Sequence, residues 1–249
     1  MMKAVALSVL LAGGVLAGCA TAPDGGDGYS SRDPYEDLNR HFFAMNRRMD
    51  RTFLRPIAET YVELVPERLR AGLHTLLTTA NLPVVFANDM LQARPSAAGE
   101  TVERLVVNVA LGLGVYDTAS AFGIAEHDND FGRTLGVWGW NGEPYLMLPL
   151  IGPSNPRDVI GFAGDIVLDP AIYLQYKYFV WSLIGRQGLG LVDMRARNLS
   201  TVDAIERSSL DYYATTRSLY RQYRQNQVEQ APDVDADDEA VAEGGVNLP

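Results

Sequence analysis

Between Asp33 and Arg224 the chain is repeatedly broken by prolines, most of them followed by apolar residues at three- and four-residue steps. Proline presets φ for a first helical turn and has no N–H to lose there, so it opens helices and interrupts them elsewhere. Asp33-Pro34-Tyr35-Glu36 has an acid at the cap, proline at the first helical position and Glu three after the cap. Leu38, Phe42, Met45, Met49 and Phe53 then form one helical stripe. The same reading starts helices at Pro56, Pro66, Pro83, Pro95, Asn155-Pro156 and Asp169-Pro170, and gives a last helix much of Leu189 to Arg224. Strand-like alternation is scarce, so the body, 33–225, is expected to be mainly α.

On the first helix Asn39, Asn46 and Asp50 share a face about 80° round from the apolar stripe at ~100° per residue. Arg40 and Arg47 lie further round. By themselves the residues read as a core face, a boundary and a solvated basic face.

One stretch refuses the helical pattern. Gly136 to Pro153 holds Trp138, Gly139, Trp140, Gly142, Tyr145, Leu146 and Leu148, and is rich in Gly and Pro yet apolar and aromatic. Ordinary loops are polar. An apolar one is either buried or faces something other than water. Its glycines allow backbone freedom, and the residues alone leave both readings open, a buried connection and a surface facing something other than water.

The ends have their own character. Met1-Met2-Lys3 precedes a short apolar run from Ala4 to Leu16, the pattern of a secretory signal over 1–18. The run is too short for a spanning helix, which needs roughly 20 residues. Leu16-Ala17-Gly18-Cys19 is a bacterial lipobox, and Cys19 is the only cysteine. Lipidation there removes the thiol; the alternative is a secreted chain with one free thiol. Either way no internal disulfide staples the fold. Residues 19–32, rich in Gly, Asp, Ser and Pro, read as a flexible tether. The tail, 226–249, carries seven acids and no base and reads as solvated disorder. Setting aside that tail and Lys3 leaves −4 of the net −10, and no basic face that would suit nucleic acid.

Catalytic patterns are missing. His41, His74 and His127 form no H-E-x-x-H, and no cysteine is left for zinc. Gly152-Pro153-Ser154-Asn155-Pro156 lacks the second glycine of a nucleophile elbow. Gly112-Leu113-Gly114 lacks the third glycine of a dinucleotide loop. Asp128-Asn129-Asp130 starts like a calcium loop but has Gly139 at the twelfth position, where Glu is needed. The chain is expected to be no enzyme and to bind no metal or other cofactor.

"DPYEDLNRHFFAMNRRMD", "NLPVVFANDMLQ", "FGRTLGVWGWNGEPYLMLPLIGPSNPRD" and "ERSSLDYYATTRSLY", with the lipobox, resemble the MlaA (VacJ) family of outer-membrane lipoproteins. The resemblance runs from about Asp33 to Tyr223; Glu143 sits at a variable site of the third motif. It implies a ring-like helical domain embedded in the inner leaflet of the outer membrane of a Gram-negative cell, with a central polar channel. Asn39, Asn46 and Asp50 would line that channel and the apolar loop would gate it. It implies phospholipid as cargo, taken from the outer leaflet and handed to a periplasmic carrier resembling MlaC, beside a trimeric porin. A structural lipoprotein that docks a partner without moving lipid is the alternative. Both predict acyl chains on Cys19. Cys19→Ser is expected to leave an unprocessed or soluble precursor; normal cleavage with no acyl mass on the wild-type protein would overturn this.

Overall fold

A computed structural model describes residues 33–174 and 179–229. The expected signal peptide, Cys19, the tether and the tail beyond Glu229 lie outside the described residues. From Tyr35 onward the chain forms one unit.

Proline sits in the first turn of α2 (Arg55–Leu64), α4 (Pro95–Ala110) and α7 (Pro156–Leu168). Pro66 immediately precedes α3 (Glu67–Leu91). α1 (Glu36–Met49) begins after Tyr35 without a side-chain cap, its ends matched instead by Glu36 and Asp37 at the start and Arg47 and Arg48 at the close. Pro83 does not open a helix. It lies inside the 25-residue α3, where Leu82, Val84 and Val85 are buried and packing overrides the local break. A π segment, Asp50–Leu54, joins α1 to α2 and ends the regular stripe before Phe53, which is exposed.

Beyond α4 come a short α5 (Thr118–Ala121) and α6 (Phe131–Val137), the latter capped by Asp130, whose carboxylate accepts from the Arg133 N–H at 2.8 Å. Gly136 and Val137, expected in the apolar loop, therefore close a helix. That loop holds two short antiparallel strands, β1 (Leu146–Leu148) and β2 (Gly152–Ser154), with Met147 opposite Pro153. α7 has the expected cap: Asn155 accepts from the Asp158 N–H at 2.8 Å. A short α8 (Ala171–Leu174) follows. The single last helix expected is three: α9 (Phe179–Arg197), α10 (Leu199–Ser208) and α11 (Tyr212–Glu229). α11 runs four residues into the stretch expected to be tail.

Arg40 and Arg47, each with 40% of its side-chain surface exposed, are solvated but also paired. Arg40 pairs with Glu36 and Asp211 and lies over the Tyr213 ring, and Arg47 pairs with Glu206, so α1 is tied to α10 and α11 by charge.

The interior is polar. Among the described residues, buried polar or charged side chains outnumber buried apolar ones by twenty to ten, while Phe53, Ile57, Leu69, Val106, Leu113 and Trp181 are among many large apolar groups turned outward. Many of the buried groups satisfy one another. Asp89 of α3 accepts from Thr101 at 2.8 Å, His127 at 3.0 Å and Asn129 at 2.7 Å. Burial pushes its carboxyl up, but these hydrogen bonds outweigh burial and hold it below the usual range. Asn88 accepts from Thr134 at 2.8 Å and donates to Asp165 at 3.1 Å, and Gln92 donates to Asn129 and Thr134, both at 2.8 Å. One network thus joins α3, α4, α6, α7 and the 127–130 loop.

α6 and α7 meet at glycine. A Cβ on Gly161 would fall 2.4 Å from the backbone N of Gly132 and 2.5 Å from its Cα. Gly161→Ala must spread the two helices. It is expected to cost about 1–3 kcal/mol or more, read as a lowered Tm. Asp165 is the reverse of Asp89. Burial raises its pKa from 3.8 to about 6, because only Asn88 and the Phe131 N–H, at 2.9 Å, donate to it. The folded state then holds the proton that the unfolded state has released, so stability falls as pH rises from 3.8 to about 6 and levels off above. Asp165→Asn keeps an acceptor oxygen for both donors. It is expected to flatten that slope and raise Tm at neutral pH; an unchanged slope in a melting series would overturn the assignment.

Candidate functional site

α1 and the hairpin are joined through asparagine. Asn39 donates from Nδ2 to the Tyr145 carbonyl at 3.2 Å and accepts at Oδ1 from the Met147 N–H at 2.8 Å. Asn46 repeats the pattern one step on, donating to the Leu148 carbonyl at 2.7 Å and accepting from the Leu150 N–H at 2.8 Å. Each side-chain amide bridges backbone groups two residues apart, as a neighbouring strand would. The spacing works because seven residues of helix rise about 10 Å, and three residues of strand advance about 10 Å. Asp50 goes elsewhere: its carboxylate takes Nε and Nη2 of Arg195 on α9, at 2.7 and 3.0 Å. The stripe expected to line a channel is thus used differently. Asn39 is 1% exposed, and none of the three lines the four cavities described below.

The loop expected to be a gate divides in two. Tyr145 and Met147 are buried, packed with Tyr213 and against Phe42, Phe43 and Tyr220. Leu146 and Leu148 are half-buried, and the tip residues Leu150 and Ile151 are exposed. At the other end Trp138 is exposed and donates its indole N–H to the Leu91 carbonyl at 3.1 Å, and Trp140 is exposed too. Gly139 and Gly142 take left-handed φ of 101° and 68°, which only glycine adopts freely. The inner rung of the loop is core, and its outer parts are not.

Four cavities follow one another, each sharing walls with the next. The first, about 560 Å³, is lined by His74, Asn81, Glu126, His127, Asp193 and Arg197 among others. Both histidines face carboxylates there: His74 lies 2.9 Å from Asp193, and His127 3.0 Å from Asp89. The second, about 110 Å³, shares Asn81, Arg186 and Gln187 with the first. The third, about 520 Å³, shares Asp130, Phe162, Asp165 and Gln187 with the second. Its lining is mixed, with Leu148, Leu150, Ile151, Val159, Phe162 and Leu191 apolar. The fourth, about 330 Å³, shares Tyr220 and Arg224 with the third and reaches Trp140, Arg157 and Arg221.

Arg224 is the hinge of the last two cavities. Its guanidinium takes both oxygens of Asp130, at 2.7 and 2.9 Å, and Asp158 at 2.8 Å. Burial alone would lower its pKa, but the two carboxylates more than reverse that. The same contacts hold the Asp130 carboxyl below its usual range despite burial. Sequence reasoning read Asn155-Pro156-Arg157-Asp158 only as a helix cap and did not find this cluster. The signal present was two charges at the head of a helix otherwise apolar on its exposed face.

The arrangement offers paths and walls rather than reacting groups. Thr101 lies 3.2 Å from His127, but it is buried and donates to Asp89. Among the described residues no group of three or more His, Cys, Asp or Glu is placed to hold a metal ion. The calcium-like Asp128-Asn129-Asp130 is occupied by the Asp89 network and the α6 cap. No described helix is long and apolar enough to cross a membrane.

The MlaA lipoprotein family model matches residues 31–227. A Haemophilus influenzae protein named intermembrane phospholipid transport system lipoprotein MlaA is 32% identical over 232 residues, covering 89% of each chain. The Escherichia coli K12 protein of the same name is 29% identical over 227 residues, 89% of this chain and 86% of that one. A solved structure described as "Structural basis for maintenance of bacterial outer membrane lipid asymmetry" superposes with a TM-score of 0.71 at 28% identity, over 79% of this chain and 98% of that chain. The mainly helical fold is theirs as well, and this chain belongs to the MlaA family of transport lipoproteins.

Proposed function

We propose that this lipoprotein sits in the inner leaflet of the outer membrane, held by acyl chains on Cys19, and moves phospholipids out of the outer leaflet toward the periplasm. The run of four adjoining cavities, lined by polar and apolar side chains together, carries the reading. A phospholipid needs polar partners for its headgroup wherever it leaves water, and an apolar surface for its chains. In the third cavity Asp165, Asp130, Asp158 and Arg224 supply polar lining, and Leu148, Leu150, Val159 and Phe162 supply apolar lining. The outward-turned apolar side chains suit a body lying in the acyl layer without spanning it. The relatives' names, intermembrane phospholipid transport system lipoprotein, support lipid as cargo. In this reading a periplasmic carrier resembling MlaC receives the lipid, a trimeric porin stands alongside, and no covalent change occurs.

The gate in this proposal is the hairpin tip rather than the whole loop. Asn39 and Asn46 fix the backbone of the loop to α1 as far as the Leu150 N–H, which leaves the Leu150 side chain and Ile151 to open or close the third cavity.

Leu150 and Leu191 line the third cavity from the hairpin and from α9. Cysteines at both, oxidised to a disulfide on a chain lipidated at Cys19, are expected to stop lipid transfer while abundance and membrane attachment hold, and reduction should restore it. Undiminished transfer in the oxidised protein, or abundance falling in step with activity, would overturn the proposal.

A further inference from the structure

We infer that the 330 Å³ cavity between Trp140 and α11 binds a phosphate group, with Arg157 as its fixed ligand and Glu143 as the anion it displaces. The inference rests on the lipid-transfer reading only for what carries the phosphate.

Arg157 is 5% exposed, and its guanidinium is fixed rather than mobile. Nε donates to Asp158 at 3.1 Å and Nη1 to the Trp140 carbonyl at 3.3 Å. Two glycines make its slot. A Cβ on Gly136 would lie 2.7 Å from Nη1, and one on Gly142 3.2 Å from Cζ. Nη2 donates to no described residue, and Arg157 lines the cavity. Asp158 does not neutralise Arg157 alone, because it also takes Arg224 at 2.8 Å and the Tyr220 hydroxyl. A buried planar guanidinium with one edge left toward a cavity is suited to a phosphate oxygen.

The rim supplies the second cation and its present occupant. Arg221 pairs with Glu143, whose side chain is half exposed. An exposed ion pair is weakly held. A phosphate between Arg157 and Arg221 replaces the Glu143 carboxylate with a group of the same sign and more acceptor oxygens. Glu229 also lines the cavity and opposes a highly charged anion, which favours a phosphodiester over a dianion. The adjoining 520 Å³ cavity, which shares Tyr220 and Arg224, has the apolar wall that chains on such a diester require.

The test uses the full-length lipidated protein in a maltoside detergent, titrated by calorimetry with dihexanoyl phosphatidylglycerol, glycerol 3-phosphate and inorganic phosphate. The short-chain lipid is expected to bind, with Arg157→Gln weakening it on the order of tenfold or more, Arg157→Lys recovering part of the loss, and Glu143→Gln, an exposed change, tightening it by roughly threefold. Glycerol 3-phosphate, a monoester that is mostly dianionic at neutral pH, is expected to compete with the lipid only weakly; competition as strong as the lipid's own binding would overturn the diester assignment. Inorganic phosphate binding as tightly as the lipid would overturn the diester assignment and make it a free-phosphate site. No binding by any of the three, or equal affinity in Arg157→Gln and wild type, would overturn the inference. If Arg157→Gln fails to fold, unchanged affinity in Glu143→Gln and Arg221→Gln would overturn it. Lipid exchange between phosphatidylglycerol–phosphatidylethanolamine vesicles is measured alongside. Exchange without phosphate binding sinks this site and leaves the transfer reading standing, and binding without exchange does the opposite.

Discussion

A buried polar group must find a partner, because leaving it unpaired costs more than the hydrogen bond is worth in water. Most of this structure follows from that rule. With buried polar side chains outnumbering apolar ones, the packing order of the helices is set by who can satisfy whom. Asp89 recruits α4 through Thr101 and the 127–130 loop through His127 and Asn129. Asn88 and Gln92 bring in α6 through Thr134, and Asn88 reaches α7 through Asp165. Arg224 then ties α11 to the starts of α6 and α7 through Asp130 and Asp158. Such an interior specifies its geometry more tightly than apolar packing does, since hydrogen bonds are directional and a slipped helix would orphan several groups at once.

The local part of this was legible in the sequence. Proline at the first turn and the Asn155 cap act through two or three neighbouring residues, and those helices start where the chain indicates. Pro83 misleads because its effect depends on distant packing against Leu82, Val84 and Val85. The break between α9, α10 and α11 was missed because the apolar steps continue across Asn198 and Ser209. The two strands were missed because three residues each are too short to show alternation.

At the site, the sequence separated Asn39, Asn46 and Asp50 from the apolar stripe but could not say what they meet. Periodicity assigns a face and not a partner. The partners of the asparagines are backbone groups more than 100 residues away, and backbone groups carry no mark in a sequence. Arg157, Asp158 and Arg224 show the same limit, being brought together only when α11 lies over the head of α7. Glu143 likewise gave no sign in the sequence that it would line a cavity and pair with Arg221, 78 residues on.

The exchange of polar for apolar inside the fold also bears on how its stability responds to temperature. Unfolding an ordinary domain exposes apolar surface and raises the heat capacity, whereas exposing polar surface lowers it. Here unfolding releases Asn39, Asn88, Asn108, Thr101, Thr134 and Asp89, all at or below 1% exposure, while much of the large apolar surface is already outside. The two contributions oppose each other, so the heat-capacity change is expected to be smaller than for a chain of this length with an apolar core. The expected stability curve is correspondingly flatter, with the fold responding more evenly to cooling and warming.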